Sequence, residues 1–181
     1  MSSDRGFTLI ETVMVVAIGL ILMAVTTVSV DRVVETTRGD SALYSVMSEL
    51  RTARDMAINR RRSIQVQFVK PNEIRMTRFE IPSGTTTLNG SFLEGHVQFL
   101  MYPGVSDTPD GFGNSDAVDF GGFDPLFIAD GTMVDTSGTT LSGTVFLAIP
   151  DQPGSVRAVT VFGGTGQVRG YTYDWPTSQW V

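Results

Sequence analysis

The sequence predicts an α+β protein, with a long N-terminal α-helix packed on a C-terminal antiparallel β domain of two small sheets. Three observations predict it. Residues 12–30, between Glu11 and Asp31, carry no charge. Apolar residues at helical spacing follow from Leu43 to Ile58. From Ser63 the apolar period falls from about 3.6 to 2, and short alternating runs are separated by turn residues to the C-terminus.

The uncharged run is nineteen residues long. At ~1.5 Å per residue it matches the ~30 Å hydrocarbon core of a bilayer. A cleaved signal peptide wants a basic leader, a shorter apolar stretch and a small-x-small exit. Here "MSSDRG" sets Asp4 against Arg5, and no clean exit follows. A plain membrane anchor explains the length. It does not explain Glu11, because a carboxylate costs about 2.5–3.5 kcal/mol at the centre of a spanning helix and less near the interface. Gly19 reads either as a close-packing membrane glycine, which is the preferred reading, or as a soft spot in the helix.

Beyond Asp31 the helix continues to Arg62. An irregularity is expected at "TTRGDS", where Gly39 weakens a helix and Asp40 or Ser41 can cap a restart. Leu43, Val46, Met47, Leu50, Ala53, Ala57 and Ile58 then form an apolar stripe that should lie on a sheet. Arg54 points into that stripe. It is read either as a structural arginine paired with an acid of the β domain, or as a stem that reaches the surface. Arg60, Arg61 and Arg62 suit a solvated helix C-terminus; a contact with an acidic neighbour is the alternative.

In the β domain, Ile64, Val66 and Phe68 alternate with Gln65 and Gln67, and "KPNE" turns the chain back through Ile74 and Met76. "PSGTTTLNGS" reads as a loop and Val97, Phe99 and Met101 as a strand. A long loop, "PGVSDTPDGFGNSD", precedes "AVDF", "PLFI", "TVFLAI", "AVTVF" and "VRGYTYDW".

Charge is unevenly spread. Residues 31–80 hold ten Arg or Lys against seven acids, and residues 81–181 hold two against ten. An acidic globule is a poor partner for nucleic acid. With no cysteine and a single histidine, His96, the chain has no disulfide framework, thiol nucleophile or His-rich metal site. No motif joins His96 to a nucleophile, "GGTG" precedes no helix, and no enzymatic activity is expected. Asp107, Asp110, Asn114, Asp116 and Asp119 crowd one loop. Their spacing does not fit a calcium-binding EF-hand loop, so a solvated loop is preferred over a Ca²⁺ site and no cofactor is expected. Trp175 and Trp180 are read as closing the core rather than forming a contact patch.

"GFTLIE" resembles the cleavage and methylation motif of type IV prepilins and type II secretion pseudopilins. The resemblance implies that a prepilin peptidase cuts after Gly6 and methylates the new N-terminus, Phe7. It further implies that Glu11 serves assembly by pairing with the N-terminal amine of a neighbouring subunit. A buried carboxylate needs such a partner. "LRTARDMAINRRRSIQVQF" resembles a stretch of the pseudopilin H and FimT group (GspH/FimT), in which Leu50, Ala53, Arg54, Ala57, Ile58 and Arg60 fall in register. The implied organisation is a leader at 1–6, a transmembrane and assembly helix at 7–30, a periplasmic amphipathic helix at 31–62 and a globular β domain at 63–181. Implied partners are other pseudopilins or minor pilins in a hetero-oligomeric filament, the prepilin peptidase and an inner-membrane assembly platform. The implied location is the inner membrane, single-pass, with the C-terminal domain in the periplasm. FimT-type pilins of DNA uptake carry a Gly-Arg-x-Arg motif. Here Gly166, Gln167, Val168 and Arg169 keep only its second arginine, which lowers the DNA-binding reading.

Overall fold

A computed structural model describes the backbone of residues 8–88 and 90–181, and their side chains apart from residues 24–32. Helix α1 spans Leu9–Arg60, and the chain divides into two compact units, Met1–Val34 and Glu35–Val181. In the first unit the described apolar side chains are exposed, Leu9 at 84% and Met23 at 70%. Among the described residues no helix is long and apolar enough to cross a membrane. The expected span therefore stands on the sequence run alone, part of which falls on residues 24–32.

In the second unit the helix buries Ala42, Leu43, Val46, Leu50, Ala53 and Ala57, the stripe that its periodicity marks. These side chains meet two antiparallel sheets. The first is built from β1 (Ile64–Val69), β2 (Glu73–Phe79), β3 (Thr85–Thr87), β7 (Leu126–Phe127) and β8 (Met133–Val134), in the order β3-β2-β1-β7-β8, with β4 (Ser91–Phe92) also on β2. The second runs β12-β11-β10-β9-β5, from β12 (Gln179–Trp180), β11 (Gln167–Asp174), β10 (Gln152–Phe162), β9 (Gly143–Ile149) and β5 (Gln98–Phe99), with β6 (Val118–Asp119) also on β9.

Strand periodicity explains the layers. On β9, Val145, Leu147 and Ile149 join the core shared with the helix, whereas Phe146 and Ala148 join a second cluster with Val105, Val156, Ala158 and Tyr173. Strand β9 is thus buried on both faces, which is why "TVFLAI" is apolar without interruption. Trp175 and Trp180 close this second cluster as expected. Each packs edge-on against Tyr173, at 4.9 and 5.0 Å between ring centroids. Their indole N–H groups donate to Pro153 O at 2.6 Å and Ser106 O at 3.0 Å.

Three local expectations are corrected. The stretch read as the loop "PSGTTTLNGS" contains β3, and Ser91 within it opens β4. Polar threonines serve as an edge strand, where one face need not be buried. The strand expected to reach Met101 is only Gln98–Phe99. The irregularity at "TTRGDS" is absent: α1 passes through it unbroken. Gly39 is there for closeness to the β domain. A Cβ at this position would lie 2.6 Å from the Ser155 carbonyl oxygen and 3.2 Å from the Arg157 guanidinium carbon. Ala at position 39 should gain about 1 kcal/mol of helix propensity and lose more to overpacking, for a net loss of about 1–2 kcal/mol. Thermal denaturation of the Gly39→Ala chain checks this; an unchanged or higher Tm would contradict it.

Candidate functional site

The N-terminus of α1 carries a reciprocal cap. Thr8 precedes the helix and accepts the Glu11 backbone N–H on its hydroxyl at 3.3 Å. Glu11 reaches back and accepts from the Thr8 backbone N–H and hydroxyl, both at 3.2 Å. The first helical hydrogen bond runs from Thr12 N–H to Thr8 O at 3.2 Å. This is the capping box that T-x-x-E encodes. "TLIE" therefore held a local signal that the reading of Glu11 as an assembly residue passed over. Glu11 has own-chain partners as well as a charge to offer. Gly6 and Phe7, the expected cleavage and methylation positions, lie outside the described residues.

The other constellation fastens the helix to the β domain. Arg157, on β10, is the largest fully buried side chain and is only 2% exposed. Its Nε donates to Asp40 Oδ1 at 2.7 Å. One terminal nitrogen donates to Gly154 O at 3.0 Å and Val156 O at 2.9 Å, and the other to Thr36 O at 3.1 Å on the helix. The planar fork thus satisfies one carboxylate and three carbonyls at once, as a buried guanidinium must. No local pattern marks Arg157, because its partner Asp40 is 117 residues away in sequence.

Arg54 is placed differently from the expected ion pair. Its Nε donates to the Gly131 carbonyl at 3.2 Å, and its side chain packs against Gly166. Gly166 has φ 63, and a Cβ there would lie 2.2 Å from Gly131 O and 2.7 Å from Arg54 Cδ. The glycine of the β10–β11 turn therefore allows the helix arginine to seal the loop after β7. Ile58, counted in the apolar stripe, lies at its margin and is 37% exposed.

The carboxylates of the 107–119 loop are spread over separate tasks. Asp107 accepts from Thr108 and Gly113 N–H, Asp119 from Ser115 and Gly121 N–H, and Asp116 pairs with Lys70 at 2.8 Å. Asp110 takes Arg169 at 2.7 Å, the Thr160 hydroxyl at 2.6 Å and the Tyr171 hydroxyl at 3.0 Å. Burial raises the Tyr171 pKa above its ordinary value, and the hydrogen bond with Asp110 adds to this. Among the described residues no group of three or more His, Cys, Asp or Glu converges on one point.

Several surface acids ionise more readily than usual. Glu80 is lowered first by hydrogen bonding to Arg78, Asp116 by Lys70, Asp130 by the Thr132 N–H and Asp135 by the Ser137 hydroxyl. Their contribution to stability is present above the unfolded values of 3.8 for Asp and 4.5 for Glu, and is lost as pH falls through the lower folded values. Stability of the folded unit should therefore drop on acidification below about pH 4. Tm measured across acidic buffers checks this, and a flat profile there would contradict it.

Comparisons with known proteins bear on this arrangement. Residues 1–27 match the family described as the prokaryotic N-terminal methylation motif. Among solved structures the chain is similar to the minor pseudopilin EpsH of the type 2 secretion system of Vibrio cholerae. The identity is 13%, the match covers 75% of this chain and 97% of that one, and the TM-score is 0.51. It is also similar to the type IV minor pilin FimU of Pseudomonas aeruginosa, at 16% identity, 78% and 96% coverage and a TM-score of 0.49. A comparison with curated protein sequences finds no match. The EpsH likeness shows a shared fold, a helix on two antiparallel sheets. The chain thus combines an N-terminal methylation motif over residues 1–27 with a fold similar to that of EpsH.

Proposed function

We propose that this protein is a minor pseudopilin of a type II secretion system. In this reading it is a structural subunit of a periplasmic pseudopilus, anchored in the inner membrane, that drives protein export across the outer membrane. It carries out no reaction of its own. The observation that carries the reading is the methylation motif, with Glu11 in the first turn of a helix whose sequence then stays uncharged to Val30. Prepilin peptidase removes residues 1–6 and methylates Phe7, and the apolar helix then packs among its neighbours. Glu11 sits in that packing opposite the amine of an adjacent N-terminus, so a charge that is costly in lipid is offset on assembly.

The alternative is a FimT-like minor pilin for pilus biogenesis or DNA uptake. Arg169 speaks against its DNA-binding form. The one arginine kept from the Gly-Arg-x-Arg motif is held by Asp110 on a strongly acidic half of the chain. A deletion strain separates the two. Loss of exported protein with normal pili and normal DNA uptake is expected; intact export with lost pili or uptake would overturn the secretion reading.

A further inference from the structure

In the described part of the second unit, the exposed arginines of α1 (Arg38, Arg51, Arg60 and Arg61) have no ion pair, and Arg60 and Arg61 are the two that stand side by side. Every Lys or Arg from residue 64 onward is ion-paired: Lys70 with Asp116, Arg75 with Glu73, Arg78 with Glu80, Arg157 with Asp40 and Arg169 with Asp110. Arg60 and Arg61, at the end of α1, are exposed and have no ion-pair partner among the described residues. Arg62 is half-buried, donates to the Arg61 carbonyl at 3.0 Å and adds to the positive field around Glu80.

The backbone at this point is costly for arginine. Arg62 N–H returns to Ala57 O and Arg61 N–H to Ile58 O, which closes the helix in a Schellman motif with Arg61 at the left-handed position, φ 51. Glycine fits that position without penalty, whereas a residue with a Cβ is disfavoured there by about 1 kcal/mol. An arginine placed at so costly a backbone position points to a use for its charge.

An apolar knob stands beside it. The Phe79 N–H donates to Ser63 O, and Ile64 pairs with Arg78, so residues 78–81 lie next to the end of the helix. Ile81 is 70% exposed and Phe79 39%. Two unpaired guanidinium groups at the helix end, with an exposed aliphatic side chain on the adjoining segment, fit a carboxylate-bearing protein surface that also offers an apolar contact.

We propose that Arg60, Arg61 and Ile81 form the docking surface for a carboxylate-rich face of the neighbouring subunit in the filament. This rests on the reading of the protein as a filament subunit. Complementary charge steers the encounter and fixes which subunit follows which.

The test places photoreactive p-benzoyl-phenylalanine at position 81 of the full-length protein in its own cells, with the crosslinked peptide mapped by mass spectrometry. The expected adduct is to an acidic segment of another filament subunit. Its yield should fall about tenfold with Arg60→Glu and Arg61→Glu together, and about threefold with Arg61→Gly. Arg61→Gly should meanwhile raise Tm by a few degrees, so its loss of docking is not a loss of folding. Three results would overturn the proposal: no adduct from a processed, filament-incorporated chain, an adduct on a segment without carboxylates, or a yield indifferent to these substitutions. Short duplex DNA is the control probe. Low-salt binding that the double charge reversal abolishes would reassign the surface to nucleic acid and overturn the proposal. Failure of processing or of filament incorporation in the unsubstituted chain is scored separately, and it removes the filament reading itself.

Discussion

Arg157→Ala is expected to destabilise the folded unit by about 3–5 kcal/mol, more than Gly39→Ala or any change at Asp40. The side chain is buried and donates to Asp40, Thr36 O, Gly154 O and Val156 O. Truncation leaves a void and takes a donor from Asp40 and from the Gly154 and Val156 carbonyls, while the Thr36 carbonyl stays within α1. The terms are unequal. Asp40 is 47% exposed and can recover water, so Asp40→Asn should cost about 1 kcal/mol or less. The carbonyls recover water less easily. Arg157→Lys keeps the charge but loses the fork, and should cost about 2 kcal/mol. Thermal or denaturant unfolding of the full chain in detergent gives the order Arg157→Ala, then Arg157→Lys, then Asp40→Asn. If Asp40→Asn cost as much as Arg157→Ala, the ion pair and not the carbonyl fork would hold the helix to β10.

The second large effect is on assembly. Glu11→Ala should leave membrane insertion intact and reduce filament incorporation by tenfold or more, on the order of 1.4 kcal/mol or above per subunit. The capping box complicates a single substitution, because alanine removes both the charge and the hydrogen bonds to Thr8. A lost cap is worth about 1 kcal/mol of helix stability by itself. Glu11→Gln separates the two roles, since an amide oxygen still accepts from the Thr8 N–H but carries no charge. If the charge is what a neighbour requires, Gln should assemble as poorly as Ala. Recovery of assembly with Gln would mean that capping alone is the function of this side chain.

These two sites differ in how legible they were. Glu11 stood out because a lone carboxylate beside nineteen uncharged residues demands a reason. Its local role was also written in the sequence, as T-x-x-E, but the longer-range question drew attention from it. The helix stripe from Leu43 to Ala57 and the β1–β2 hairpin were readable from periodicity alone, since each buries one face. The β9 strand was readable as a short apolar run, although not that it would be covered on both sides. That covering comes from Val105 and the two tryptophans, which belong to loops and chain end.

What the sequence concealed were the contacts that join distant segments. Gly39 looks like a weakness on helix propensity alone, and becomes a requirement once Ser155 lies against it. Arg157 looks like one charge in an apolar strand, "RAVTVF", until Asp40 and Thr36 are brought beside it. Arg54 was correctly singled out as needing a partner, but the partner is the Gly131 carbonyl and not an acid. Carbonyls are offered by every residue, so no sequence pattern distinguishes them. The β3 threonines were hidden for the opposite reason: an edge strand can be polar on both faces.

The intact mass of the protein recovered from membranes tests the account most directly. The predicted species begins at Phe7, carries one added methyl group on its N-terminal amine and keeps the apolar helix. A chain that retains residues 1–6, or one released without the helix, would contradict it.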